Sequence, residues 1–278
     1  MRLVWQLLAV ALIAFLGGQG LNATKGSPWL QLLIGVATAV IAAVVYRWAV
    51  AKTERREVVE LGRPGAVGVT ALGALLGVAM FGFVIANIAF LGHYTVDGLG
   101  SPQGAVGLVG FMAAAAVTEE LLYRGVLLRI VEGWFGTWIA LGSTSLLFGL
   151  SHLINPNATL WGATAIAIEA GGMLGAAYIA TRRLWLPIGL HFGWNVAASA
   201  LFSTEVSGNG TSHGLLDAAT SGPIAVSGGA FGPEGSGYAV LAGTVLTIVF
   251  LWIAKRRGRI VPLRRRDRAE AAAATLSR

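Results

Sequence analysis

The chain has 278 residues, of which 55% are hydrophobic and 12% are charged, and its formal net charge is +7. The charged fraction is far below the roughly 25% that is typical of soluble domains, and the mean hydropathy is +0.71. This composition excludes an ordinary soluble protein and predicts an all-α integral membrane protein. The absence of cysteine excludes disulfides, thiolate metal sites and a cysteine nucleophile.

Apolar runs of about 20 residues, the length that crosses a hydrocarbon core of roughly 30 Å as a helix, recur along the chain. The first run begins like a signal peptide, but no small-residue cleavage site follows it near residues 21–27, so we assign it as a helix. We predict a polytopic bundle of about eight transmembrane helices that forms a single integral membrane domain over residues 1–278. The predicted spans are residues 3–21, 29–50, 66–91, 104–130, 138–153, 160–180, 185–202 and 238–253.

The basic residues are distributed unevenly between the ends of these spans. If both termini are cytoplasmic, 19 of the 20 Lys and Arg residues lie on or toward the inner side, and only Lys25 lies outside. The positive-inside rule favours this orientation. It predicts a basic cytoplasmic tail at residues 255–278 that contacts the lipid bilayer. We therefore expect a multi-pass protein of the cell membrane, with no nucleic-acid partner.

The longest interruption between apolar runs covers residues 203–237. It is rich in Gly, Ser and Thr and contains Pro223 and Pro233, a composition typical of loops. We predict a flexible non-cytoplasmic loop. Its His213, like His93 after the third span, is interpreted as a solvated residue outside any functional site.

Ionisable side chains within the fourth span point to a functional site, because charges in hydrocarbon are costly and are usually kept for function. Glu119 and Glu120 follow a continuous apolar run. Residues four apart share one helix face, so Glu120 is expected to form an ion pair with Arg124. Adjacent residues differ by about 100° around a helix. Glu119 is therefore expected to point away from this pair and to remain free to act as a base.

Spans five and seven carry further polar side chains. Phe148 and His152 are four residues apart, as are His191 and Asn195, so each pair can project from one helix face. Side chains from facing helices converge in the core of helical bundles. Together with the glutamates they supply a base, a group that orients water and donors for an oxyanion, which are the parts needed for peptide hydrolysis.

Two features of the predicted spans leave alternatives open. His152 lies about 14 residues into span five, or roughly 21 Å, whereas His191 lies only a turn or two from the cytoplasmic end of span seven, where that span begins. Either span five begins later than predicted, or the helices are tilted or broken around a water-filled cavity. Glu169 in span six is a further carboxylate, with either a supporting role at the site or a polar contact between helices.

These motifs in this order resemble those of the CAAX protease and bacteriocin-processing family, the Abi or type II CAAX prenyl endopeptidase-like intramembrane proteases. The motifs are Glu-Glu-x-x-x-Arg, Phe-x-x-x-His and His-x-x-x-Asn across apolar helices. The resemblance continues through most of residues 171–195. It covers residues 104–201, the predicted core that carries the family motifs.

The resemblance implies an endopeptidase that acts in or at the membrane. It implies that Glu119 and His152 activate a water molecule, that His191 and Asn195 stabilise the oxyanion, and that Glu120 shapes the site. The candidate catalytic residues are therefore Glu119, Glu120, His152, His191 and Asn195, with Arg124 and Phe148 in supporting roles. The implied substrate is a membrane-associated protein or peptide, which is prenylated in the eukaryotic members.

The cofactor and the function class remain open at this point. Two histidines and a carboxylate suit a catalytic zinc site, whose ligands would be Glu119, His152 and His191, and the resembling family has been described both as metalloproteases and as glutamate proteases. We favour water activation without a metal. The rival functions are a transporter or proton- or cation-conducting protein that uses the Glu and His cluster, and a non-catalytic bacteriocin immunity protein.

Overall fold

Long helices make up most of the chain in the computed structural model, which describes residues 1–210 and 212–263. We number the eight main helices α1 to α8 and the two strands β1 and β2. The strands are Tyr94–Leu99 (β1) and Leu216–Thr220 (β2). The helices are α1 Arg2–Ala23, α2 Pro28–Glu54, α3 Ala66–Phe90, α4 Pro102–Phe135, α5 Thr137–Ile154, α6 Leu160–Thr181, α7 Trp185–Val196 and α8 Gly237–Arg256.

Seven of these helices, α1 to α6 and α8, are long and apolar enough to cross a membrane, which confirms the predicted helical-bundle fold class. Helix α7 has 12 α-helical residues and continues as a five-residue π-helical segment, Ala197–Leu201. The α-helical part is shorter than a typical span of about 20 residues, and most of its residues are buried. The predicted seventh span, residues 185–202, is therefore a short internal helix and not one of the helices long enough to cross a membrane. The side of the membrane on which the termini lie stays a prediction.

Three helices contain π-helical segments, in which the hydrogen bonds skip one residue more than in an α-helix. Leu121–Leu128 lies within α4, Ala167–Gly172 lies within α6, and Ala197–Leu201 ends α7. Such segments are rare and frequently mark functional sites. Here each one adjoins residues that the sequence singled out.

Glycines bring α7 into direct backbone contact with α3. A Cβ atom at Gly189 would lie 2.1 Å from the Thr70 carbonyl oxygen, and one at Gly193 would lie 2.1 Å from that of Ala74. The approach is reciprocal, because Gly77 packs against the Leu190 carbonyl oxygen in the same way, at 2.3 Å. Small residues permit this separation between membrane helices. These contacts fix the position of α7 along α3, and with it the positions of His191 and Asn195.

Residues 203–237 contain regular structure, although their composition predicted a flexible loop. Strand β2 pairs with β1 in an antiparallel register from Tyr94 opposite Thr220 to Leu99 opposite Leu216. The segment also contributes the buried side chains of Phe231 and Glu234. The physical reason is that its partners are remote in sequence, so the Gly-rich composition does not reveal them.

One end of the bundle, which we call the basic end, is held together by ion pairs. Arg56 lies 2.6 Å from Glu60, and Arg129 lies 2.8 Å from Glu54; Arg182 pairs with Glu132. Burial raises the pKa of Glu60, but hydrogen bonds from Arg56 and Tyr46 outweigh burial and hold that pKa below its usual value. The predicted tail, residues 255–278, continues from this end, and its residues 264–278 lie outside the described part of the chain.

Candidate active site

A buried ion pair on α4 lies at the centre of the candidate site. Arg124 Nη1 donates to Glu120 Oε1 over 2.6 Å, and the two side chains are 2% and 0% exposed. The spacing of four residues predicted this contact, and the structure confirms it. A charge pair in this environment offsets its desolvation cost only with good geometry and further hydrogen bonds.

Arg124 supplies those further contacts. Its Nη2 donates to the carbonyl oxygens of Ala170 and Gly171, over 3.1 and 3.3 Å, within the π-helical segment of α6. Its guanidinium carbon lies 4.5 Å from the centroid of the Phe148 ring, which is a cation–π geometry. One buried cation therefore connects α4, α5 and α6, and Phe148 is packed at their junction.

His191 projects from α7 between the two glutamates. Its Nδ1 lies 3.0 Å from Glu120 Oε1, and its Nε2 lies 3.9 Å from Glu119 Oε2. Because Glu120 already accepts from Arg124, its carboxylate is the acceptor and His191 Nδ1–H is the donor. Glu120 thus orients the ring so that Nε2 faces Glu119. This contact between a glutamate and the oxyanion-side histidine was not predicted from the spacing.

His152 is the first residue of the short 3₁₀ turn, His152–Ile154, with which α5 ends. Its Nδ1 lies 2.7 Å from the carbonyl oxygen of Phe148. Since a carbonyl oxygen can only accept, Nδ1 carries the hydrogen, and the neutral ring keeps its lone pair on Nε2. The ring centroid of Phe148 lies 4.9 Å from that of His152 and 6.1 Å from that of His191. The Phe148 ring therefore packs against both histidine rings.

Four of the predicted residues line one cavity of about 320 Å³, which we call the site cavity: Glu119, His152, His191 and Asn195. Glu119 is 32% exposed at the side chain, in contrast to the fully buried Glu120. The Asn195 carboxamide makes no hydrogen bond to any described residue, so its donors are available to a ligand. Apolar side chains form another part of the wall, including Phe111, Met112, Leu122 and Ile154.

The conflict between the depths of His152 and His191 has a structural explanation at the basic end. There the chain after α2 folds back into the bundle: Tyr46 Oη lies 2.7 Å from Glu60 Oε1 and 2.9 Å from the carbonyl oxygen of Gly125. The Leu184 amide donates to the Glu60 carbonyl oxygen over 2.9 Å. The start of α7 is therefore buried against the segment that follows α2, and His191 comes into contact with Glu120. The predicted difference in depth does not separate the two histidines, because both line one cavity.

Glu119, His152 and His191 are the residues that would hold a zinc ion. Within residues 1–210 and 212–263, no three His, Asp or Glu side chains form a group that could hold a metal ion. Of the residues that the sequence offered as ligands, Glu119 and His191 approach to 3.9 Å, and His152 keeps Nε2 free because its Nδ1 contacts a backbone carbonyl. The three side chains line one cavity, but in this arrangement they are not grouped closely enough to hold one ion.

Sequence reasoning missed a carboxylate that comes from the segment 203–237. Glu234 is buried; its Oε1 accepts from Trp194 Nε1 over 2.8 Å, and its Oε2 accepts from the Ser207 amide and hydroxyl over 2.6 and 2.8 Å. Trp194 precedes Asn195, so Glu234 braces the helix that carries the candidate oxyanion residues. Trp194 belonged to the motif region, but no signal in the sequence connected it with Glu234.

Comparison with known proteins bears on the same part of the chain. Residues 101–197 match the family described as type II CAAX prenyl endopeptidase Rce1-like. The chain carries an Rce1-like domain. This domain runs from the start of α4 to the end of α7 and includes every residue of the candidate site from Glu119 to Asn195. Neither curated proteins nor solved structures gave a match to this chain.

The match over residues 101–197 supports an intramembrane endopeptidase at the level of the family. Together with the seven helices that could cross a membrane, it identifies an integral multi-pass membrane protein. The lipid bilayer is therefore one partner, and a protein or peptide substrate is the other.

Proposed function

We propose that this protein hydrolyses a peptide bond of a membrane-associated protein or peptide with a water molecule activated by Glu119 and His152. One observation carries the proposal. A carboxylate, two imidazoles and a carboxamide from three helices line a single cavity inside a membrane bundle. Ionisable groups at such depth are costly and are usually functional, and these four match the roles that amide hydrolysis requires.

The first step is proton transfer from water to Glu119. Its partly exposed carboxylate faces the site cavity. The lone pair on His152 Nε2 accepts a hydrogen bond from the same water molecule and so orients the water oxygen toward the substrate. The oxygen attacks the carbonyl carbon of the scissile bond. Positioned proton transfer of this kind contributes typically 10²- to 10⁴-fold in rate.

The negative charge that develops on the carbonyl oxygen is stabilised by Asn195 and His191. Asn195 donates through its free carboxamide, and His191 donates through Nε2–H when its ring is protonated. Glu119 is protonated at this stage, so the negative charges of Glu120 and the oxyanion balance the positive charges of Arg124 and the protonated His191. Preorganised donors cost no rearrangement at the moment of reaction.

The apolar part of the cavity wall suits an extended peptide segment that enters from the bilayer. We propose that the substrate is anchored in the membrane, and prenylation is one anchor that the wall of Phe111, Met112 and Leu122 could accommodate. The burial of apolar surface would hold the substrate, while the polar residues act only on the scissile bond.

The function is tested by incubating the purified protein in lipid nanodiscs with a panel of membrane peptides, each with and without a prenyl group. We expect cleavage of at least one peptide by the parent and a loss of at least 10²-fold in Glu119→Gln, which keeps the size of the side chain but removes the base. Cleavage by Glu119→Gln within several-fold of the parent would reject Glu119 as the base. A protein that cleaves no peptide but conducts protons into liposomes would instead support a transporter.

Metal dependence is tested on the same reaction. We expect chelator treatment to leave the rate unchanged and elemental analysis to find less than one zinc per chain. Activity that is lost on chelation and restored by added zinc would replace the proposed water activation with a metal-assisted one.

A further inference from the structure

Glu169 is a buried carboxyl group that the proposed hydrolysis does not use. It lies in the π-helical segment of α6, is 1% exposed, and neither of its carboxyl oxygens has a hydrogen-bond partner among the described residues. Helix α8 covers it, because a Cβ atom at Gly243 would lie 2.5 Å from the Glu169 Cα atom. A polar group with no partner in this setting calls for a functional explanation.

Glu169 lies next to the site cavity, on the other side of residues that line both cavities. It lines a second cavity of about 20 Å³, which we call the rear cavity, together with Glu234, His152, His191 and Asn195. The last three residues also line the site cavity. The rear cavity is large enough for one water molecule, and its lining offers that water several polar partners. A single water there would connect Glu169 to the reaction centre.

The surroundings of Glu169 favour its neutral acid form. No described cation contacts it: Arg124 directs its donors to Glu120 and to the backbone of the same π segment. The neighbouring Glu234 is a carboxylate that is already satisfied by Trp194 and Ser207. A lone carboxylate out of water, without a counter-ion, costs far more than the protonated acid. Glu169 can therefore hold a proton and donate it.

Peptide hydrolysis needs such a donor, because the amine leaves as a neutral group only if its nitrogen gains a proton. We propose that Glu169 supplies this proton to the leaving nitrogen through one water in the rear cavity, an inference that rests on the proposed protease function. When the carbon–nitrogen bond breaks, its electron pair goes to nitrogen, which takes a proton from the water, and the water is reprotonated by Glu169. Glu119 holds the proton from the attacking water and returns it to Glu169 after product release. The net reaction consumes one water and yields one acid and one amine.

The test compares two substrates that share one acyl part: a peptide that the parent cleaves, and the matching p-nitrophenyl ester, whose leaving group departs without a proton. We expect Glu169→Gln, which is neutral and similar in size but has no proton to donate, to lower kcat on the peptide about 10²-fold. The same variant should cleave the ester within about threefold of the parent. Glu119→Gln should lose both reactions, because both need an activated water.

Ser145→Ala is the matched control, because the Ser145 hydroxyl is also buried without a partner and packs against Gly171 of the same segment. It should change the two rates equally. Equal losses on peptide and ester in Glu169→Gln would reduce Glu169 to a packing role and overturn the inference, as would an unchanged rate on the peptide. A parent that cleaves no peptide of the panel would instead overturn the protease function itself, before the two substrates are compared.

A second measurement does not depend on activity. The infrared spectrum of the parent at neutral pH should contain the carbonyl-stretch band of an un-ionised, buried carboxylic acid, and Glu169→Gln should lack it. Identical spectra in that region would show that Glu169 is ionised and unable to donate.

Discussion

The ion pair between Glu120 and Arg124 provides a stringent test of how the site is held together. Arg124→Met would leave the fully buried Glu120 carboxylate with His191 as its remaining partner. Removal of one member of a buried pair costs about 3 to 5 kcal/mol. The same change also removes the donors to the Ala170 and Gly171 carbonyl oxygens, so we expect a cost toward the upper end of that range. Glu120→Gln should cost about 3 kcal/mol, because it leaves the cation buried.

The double variant Glu120→Gln/Arg124→Met removes both charges and should be more stable than the sum of the single costs implies. We expect a coupling energy of about 2 to 3 kcal/mol, measured by equilibrium unfolding in mixed micelles of detergent and sodium dodecyl sulfate, followed by tryptophan fluorescence. The control cycle uses Glu54 and Arg56 at the basic end, where Arg56 is 30% exposed and the coupling should not exceed about 1 kcal/mol. Additive losses at Glu120 and Arg124 would refute the structural role assigned to their contact.

Three further predictions concern catalysis, acid stability and helix packing. Asn195→Ala should lower kcat by about 10²- to 10³-fold with little change in KM, as expected for the loss of one oxyanion donor; a rise in KM at constant kcat would indicate substrate positioning instead. The pKa of Glu60 is lower in the folded protein than in the unfolded chain. The ionised carboxylate therefore stabilises the fold above its unfolded-state pKa, and this stabilisation is lost as the pH falls through the folded-state pKa. The difference in Tm between the parent and Glu60→Gln should shrink below about pH 4.5, and a constant difference would contradict this. Gly193→Ala should destabilise the protein by about 1 to 3 kcal/mol and reduce cleavage, because its Cβ atom meets backbone, whereas Gly82→Ala, which meets nothing within 4 Å, should be neutral in thermal unfolding.

Local spacing predicted much of the candidate site, because helical geometry relates residues four apart. The contact of Glu120 with Arg124 follows from that rule alone, and so does the placement of His191 and Asn195 on one face of α7. The composition of the spans predicted the helical bundle for a similarly local reason, since a backbone in hydrocarbon must satisfy its own hydrogen bonds. These features need no knowledge of how the helices pack.

The features that sequence reasoning missed all depend on contacts between remote segments. Glu234 lies 40 residues from its partner Trp194, in a Gly-rich stretch that reads as a loop. The position of α7 depends on the contact of Leu184 with Glu60, which buries the start of the helix. Neither contact leaves a periodic pattern in the sequence. The alternative of broken helices around a cavity has a partial counterpart, because π-helical segments interrupt α4 and α6 and follow α7.

The π-helical segments and the buried arginine belong to one physical arrangement. A π turn widens the helix and loosens its hydrogen bonding, and in α6 the carbonyl oxygens of Ala170 and Gly171 within such a segment accept from Arg124. The same guanidinium neutralises Glu120, which in turn orients His191. A lysine could balance the charge but could not make this set of contacts, since its single ammonium lacks the planar fork of donors. Arg124 thus pairs with Glu120 and not with its neighbour Glu119, which in the proposed mechanism is left free to take a proton from water.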